Sequence, residues 1–252
     1  LVEAAAATET TKVPLFLEVT GEPEAGKTHL SCLMPKPALL DLTAGGESEI
    51  ILKRLHPSDW KQRYWRIRSS ADIETALKSI LANKDNFKTV IFDTSADLRA
   101  MCSKEYIKEL NKQGKERQAL MPAEYKWVNE NIDGFIDRIK SPDGKFCMNL
   151  VFTAQMRDEW RDNKPTGRRI RKGYPDANYQ SNLRFYLQVL QKLDPKTMSY
   201  IEGEYERKCT VIKNTFRNKT DKVDWIPDLK ESELNWEGVK KLTKLETGEL
   251  VE

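Results

Sequence analysis

The chain has 252 residues, a length that suits one α/β domain with embellishments or at most two small domains. Its 42 Lys and Arg against 39 Asp and Glu leave a formal charge of +3, so overall charge does not mark a nucleic-acid binder and any basic surface must be local. Four widely spaced cysteines without a C-x-x-C, and only two histidines, argue against a zinc site or a disulfide framework and fit a reducing, intracellular setting.

No apolar run approaches the ~20 residues that a bilayer requires, so a soluble protein with no membrane partner is expected. Residues 1–12 open with Leu-Val-Glu-Ala-Ala-Ala-Ala, lack strand or amphipathic pattern, and read as a flexible lead-in to a domain spanning 13–252. The run from Val13 to Leu30 then reads as an apolar β-rich strand, a glycine-bracketed loop and the opening of a helix. Within it Gly21, Gly26, Lys27 and Thr28 fill G-x-x-x-x-G-K-[ST], the Walker A pattern. A loop wrapped round a phosphate aims successive backbone N–H groups inward, and glycines permit the angles and close approach this needs. Lys27 is placed to reach the β- and γ-phosphates and Thr28 to offer its hydroxyl to Mg²⁺. The loop residues Glu22, Pro23, Glu24 and Ala25, with His29 just inside the helix, complete the expected nucleotide contact. Two carboxylates so near a triphosphate would repel it unless they point outward.

Pro37 to Leu42 is a short buried strand carrying Asp41 near its end, followed by Thr43-Ala-Gly-Gly-Glu47. Tyr64 to Arg68 alternates as a strand, and Ser69 or Ser70 can cap a helix over 71–82, where Ile73, Ala76, Leu77, Ile80 and Leu81 keep helical spacing. Lys88 to Thr94 is a continuous apolar strand that ends in Asp93. A P-loop needs a second carboxylate for the metal at the same sheet edge, and Asp93 meets that demand. Residues 97–140 are patterned as helix, with interruptions near Gly114 and Pro122. Asn149 to Gln155 is a further buried strand ending in a polar amide, so Gln155 should emerge at the same rim, where it can bond a γ-phosphate or an attacking water.

Arg157 to Tyr179 changes character and reads as a long polar surface loop. Between Arg157 and Lys172 it holds seven cations (Arg157, Arg161, Lys164, Arg168, Arg169, Arg171, Lys172) against three anions. Trp160 and Tyr174 lie in or beside this run. Cations that follow phosphates and rings that stack on bases are the means of single-strand binding. Phe185–Leu190 and Lys208–Lys213 look like later strands, and a helix is expected near 236–245. Strands alternating with helices imply a mostly parallel, twisted sheet with helices on both faces.

Taken in order, the Walker A loop, the strand to Asp41 with Gly45-Gly46, Val90 to Ser95, Leu150 to Gln155 and Val211 to Arg217 resemble the RecA-like P-loop ATPases of phages and viruses. Among these the chain looks most like the small nucleotide-binding proteins implicated in single-strand annealing and recombination. The resemblance implies an α/β RecA-like P-loop NTPase core with a small C-terminal helical element, ATP and Mg²⁺, single-stranded DNA as partner, and the cytoplasm (of the host, if viral). It further implies a glutamine, here Gln155, that couples nucleotide to a DNA-binding loop, and Lys or Arg fingers from an adjacent subunit. Lys213 and Arg217 match these, which implies a homo-oligomeric ring or filament. One departure stands out: where such families carry a general-base glutamate, this chain has Thr43 or Ala44, so Asp41 or Glu47 must substitute or hydrolysis is slow. A helicase or packaging motor, and a small-molecule kinase-like enzyme with the basic segment as its lid, are the competing readings.

Overall fold

The computed structural model describes residues 12–140, 148–194, 199–216, 229, 231–243 and 249–250. Residues 1–11 of the expected lead-in, and Arg217, lie outside them. The chain enters through β1 (Lys12–Val13) and β2 (Phe16–Gly21), then turns through the glycine-bracketed loop into α1 (Lys27–Cys32). It continues with β3 (Pro37–Asp41), α2 (Glu47–Leu55), β4 (Tyr64–Arg66), α3 (Ser70–Ala82) and β5 (Thr89–Asp93). Ser69 caps α3 by accepting from the Asp72 amide at 3.2 Å, and Thr94 caps the next helix by accepting from Asp97 at 3.3 Å. That helix, α4 (Ser95–Lys112), therefore starts directly beyond Asp93.

After α5 (Tyr125–Lys140) come β6 (Asn149–Arg161), β7 (Lys164–Lys172), α6 (Ala177–Gln180), β8 (Leu183–Leu193), β9 (Tyr200–Asn214), α7 (Trp236–Leu242) and β10 (Glu249–Leu250), which pairs with β1. The main sheet runs β4-β3-β5-β6-β2-β8-β9, with β7 added to β6. Pairings from β4 through to β8 are parallel; β6–β7 and β8–β9 are antiparallel. This is the mostly parallel α/β sheet of a P-loop NTPase core.

Why the central strands read as unbroken apolar runs is now plain, because alternate residues fill two different cores. Phe16, Leu40, Val90, Phe92, Leu150 and Phe152 pack against α3, α4 and α5. Leu17, Val19, Leu39, Ile91 and Val151 face the other way, toward Leu30 of α1, Leu52 of α2 and Val239 of α7. Helices thus cover both faces.

The segment from Arg157 onward departs from the expected loop. It continues β6 into a β-hairpin, whose two-residue turn is Asp162-Asn163 between the paired Arg161 and Lys164. Both turn residues have positive φ, 49° and 60°, which a tight hairpin turn of this length demands and which Asp and Asn tolerate. The pattern Asp-Asn between two polar strands was the available signal; the lack of aliphatic residues concealed it.

At the root of this hairpin Glu18, wholly buried on β2, receives Arg171 of β7 and Arg184 of β8, the latter at 2.9 Å. Removing one member of such a buried set leaves uncompensated charge and costs on the order of 3–5 kcal/mol. Glu18→Ala is therefore expected to lower unfolding stability by about that amount, measured by urea denaturation. A loss below about 1 kcal/mol, the scale of an exposed pair, would show that the cluster is not structural.

Candidate nucleotide site

Gly21 ends β2 against the backbone of β8. A Cβ there would lie 2.3 Å from the Leu187 carbonyl oxygen, so no other residue lets the two strands close at this point. Gly26, with φ +87°, makes the left-handed turn that begins α1. Between them the loop folds back on itself, and Lys27 Nζ donates to the Glu22 carbonyl at 2.5 Å. Burial pushes the Lys27 ammonium below its ordinary pKa, with the Asp93 and Glu22 carboxylates pulling the other way. The Glu22 carboxylate is turned outward onto Arg169 at 3.0 Å, and Glu24 is exposed. Glu22's charge is therefore offset on the outer side of the loop.

Asp93 is the point where the elements converge. Its Oδ2 accepts from Thr28 Oγ1 at 2.8 Å and from Ser48 Oγ at 2.7 Å, while Thr153 donates to Oδ1. The three donors come from α1, α2 and β6. Thr153 arrives there by register, since Phe92 of β5 pairs with Phe152 of β6. Hard oxygen donors on one carboxylate suit Mg²⁺, which takes few protein ligands and completes its shell with water and phosphate. Among the described residues there is no cluster of three or more His, Cys, Asp and Glu, so a site built on several protein side chains of those types is not the alternative here. Thr28 and Asp93 would hold the ion, with Ser48 bracing the carboxylate; when bound, it would offset charge on the β- and γ-phosphates.

An 800 Å³ cavity opens beside this cluster. Pro23 to Leu30 form one wall, and Glu47, Ser48, Asp93 and Gln155 meet them across it. Gln155 lies in register with Gly21 on the neighbouring strand, so it stands at the mouth of the phosphate loop. Of the two carboxylates considered for a general base, Glu47 lines the cavity at the start of α2. Asp41 is fully buried, and its oxygens accept from the Thr43 amide and hydroxyl and from Tyr64 OH at 2.8 Å. Those bonds commit Asp41 to holding β4 and the following turn, away from the cavity.

Sequence reasoning missed Ser48, Thr153 and Arg207. Arg207, on β9, places its Nε 3.4 Å from where a Gly26 Cβ would be, directly over the phosphate loop. It and Arg54 reach the cavity, and together with burial, the larger effect, they hold His29 below its usual pKa. Nothing local marks Arg207 within the alternating charges of 202–208. Lys213, expected as a finger toward a neighbour, instead donates to the carbonyls of Asn178 and Tyr179 at 2.9 and 3.0 Å in its own chain.

The basic residues separate into distinct groups. Arg157, Lys164, Arg168 and Lys172 are exposed, Trp160 is 62% exposed, and Arg161 pairs with Glu159. Arg169 is shared between Glu22 and Asp158. Arg171 is a correction: its side chain is 9% exposed and is spent on Glu18. Tyr174 is a second correction, since it is fully buried with its OH donating to Asp133 at 2.5 Å and offers no face to a base.

Among the described residues no helix is long and apolar enough to cross a membrane. A family model described as an AAA domain matches residues 15–194, the stretch that includes the phosphate loop, Asp93, Gln155 and the β6–β7 hairpin. No curated protein matches the chain.

Lys27→Ala is expected to abolish tight ATP binding with the circular-dichroism spectrum unchanged, because its charge serves phosphates and not the core. Ser48→Ala should weaken Mg²⁺ affinity by about 10–100-fold, the usual scale for a group that braces a metal ligand, read as a raised Mg²⁺ midpoint in titrations of ATP hydrolysis. Intact ATP affinity in the first, or an unaltered Mg²⁺ midpoint in the second, would move the site elsewhere. The depressed Lys27 pKa also sets a pH dependence. A bound polyphosphate favours the protonated amine and raises its pKa, so affinity should fall as pH rises through the free protein's Lys27 titration, which burial sets below the ordinary lysine range. Calorimetric ATP titrations from pH 7 to pH 10 check this, and an affinity that climbs across that span would contradict it.

Proposed function

The chain belongs to the AAA-domain family of P-loop nucleotide-binding ATPases, and on that premise we propose that it is a RecA-like ATPase that hydrolyses ATP while acting on single-stranded DNA, in viral or phage recombination, annealing or replication. The observation that carries this reading is the continuity of β6. One strand bears Gln155 on the wall of the nucleotide cavity and then continues, past a bulge between Asp158 and Trp160, as an exposed basic hairpin.

In this reading Lys27 and Arg207 bind the β- and γ-phosphates, and Thr28 and Asp93 hold Mg²⁺. Glu47 takes the proton of the attacking water, directly or through a second water, and Gln155 orients that water. Because the expected glutamate position holds Thr43 or Ala44 and Glu47 is exposed at the cavity rim, basal turnover is slow. Trp160 and the exposed cations of the hairpin face the strand. Oligomerisation on DNA brings further cations to the site; Arg217 is the remaining candidate for that role.

ATPase rate, measured with and without single-stranded DNA across protein concentration, tests the proposal. The expected result is stimulation by DNA that steepens with protein concentration. A rate indifferent to DNA but raised by a small phosphate acceptor would favour a kinase-like enzyme with the hairpin as lid.

A further inference from the structure

A second cavity, also about 800 Å³, lies at the root of the hairpin. Arg99 of α4, Arg157 of β6, Arg169, Arg171 and Lys172 of β7, and Arg184 of β8 line it, and no carboxylate does. Three of these cations are already engaged: Arg171 and Arg184 on the buried Glu18 beneath, and Arg169 on Glu22 and Asp158. Arg99, Arg157 and Lys172 have no carboxylate partner among the described residues. Arg99 is held in place by its stack on the Tyr125 ring, 4.5 Å from the centroid, yet its buried Nε has no hydrogen-bond partner. A guanidinium whose N–H groups lack acceptors is costly, and Arg99 lines a cavity where the other five charged side chains are cations.

We propose that this cavity is a binding site for the phosphodiester backbone of a single strand, so that the strand is gripped at the root of the hairpin and not only along its exposed length. Arg99 supplies a fixed fork and Lys172 and Arg157 supply mobile charge, a combination suited to successive phosphates. Met156, Ile170 and Ile212 give the same cavity an apolar side for sugar or base, and Ile212 is 46% exposed. The cavity is separate from the nucleotide pocket: the residues lining one do not line the other. Arg169 nevertheless touches both regions, since it lines this cavity and pairs with Glu22 of the phosphate loop.

The inference rests on the proposal that the protein binds single strands, and the experiment keeps the two apart. Binding of a fluorescent oligodeoxynucleotide is measured against salt for the wild type and three double variants. These are Arg99→Gln/Lys172→Gln, the exposed pair Arg157→Gln/Lys172→Gln, and Arg161→Gln/Lys164→Gln at the hairpin turn. Each phosphate contact on a single strand contributes about 0.7 to the slope of log K against log[salt]. Both cavity variants should lose up to about 1.4 of that slope and at least tenfold in affinity, with ATP affinity in the absence of DNA unchanged. If the cavity variants keep the wild-type slope while the turn variant loses it, the strand lies on the hairpin tip and the inference is overturned alone. If the wild type binds no oligonucleotide, the function proposal falls with it. A cavity that answers to inorganic tripolyphosphate, with oligonucleotide binding indifferent to the variants, belongs to free phosphate and overturns the inference as well.

Discussion

Everything in the nucleotide site hangs on the carboxylate of Asp93 and the hydroxyls that reach it. Asp93 is 3% exposed, and a buried carboxylate needs donors. It takes them from three elements that the same apolar core brings together: Thr28 behind the phosphate loop, Ser48 at the head of α2, and Thr153 on β6. Each bond depends on the sheet order. Only with β6 between β2 and β5 does Thr153 lie beside Asp93 and Gln155 beside Gly21. The parallel register thus sets Asp93, Thr153 and the Gln155 amide at one sheet edge with the same hydrogen-bond ladder.

The strand β6 changes its environment abruptly. From Asn149 to Ala154 every residue is buried, and from Gln155 onward the strand runs at or near the surface. The buried half is clamped between β5 and β2, and Gln155 still pairs with Gly21 of β2; from Met156 on, the strand is paired with β7 alone among the described residues. A rigid stem with a less constrained extension can carry a small displacement at Gln155 outward, and the Arg169–Glu22 pair gives the hairpin a second tie to the phosphate loop. Thermodynamic linkage then makes the effect mutual: whatever the hairpin binds must alter nucleotide affinity by the factor with which nucleotide alters its own.

How much of this was legible in the sequence follows from where the constraint resides. The phosphate loop is legible because its chemistry is local: Gly21, Gly26, Lys27 and Thr28 must sit at fixed spacing whatever surrounds them. Asp93 and Gln155 are legible because an apolar strand ending in a polar residue places that residue at the sheet rim. Ser48, Thr153 and Arg207 were not, since each owes its role to the register or packing of an element distant in sequence. Asp41 was misjudged for the same reason, because its position on a strand end says nothing of Tyr64 and Thr43 waiting to bond it. A solvent-exposed two-stranded ribbon carries no burial pattern, so the hairpin's sequence reads as loop. Charge counting had the opposite fault: it treated Arg171 and Arg168 alike, although one is buried on Glu18 and the other is exposed.

The proposed function requires that occupancy of the nucleotide site be transmitted along β6 to the hairpin. Amide hydrogen exchange over residues 156–172, with and without a non-hydrolysable ATP analogue and Mg²⁺, tests it most directly when compared between the wild type and Gln155→Ala. Nucleotide should change the hairpin's exchange in the wild type and leave it unaltered in the variant, while both proteins are protected across residues 21–30. Protection confined to residues 21–30 in both proteins, with the hairpin unmoved, would contradict it.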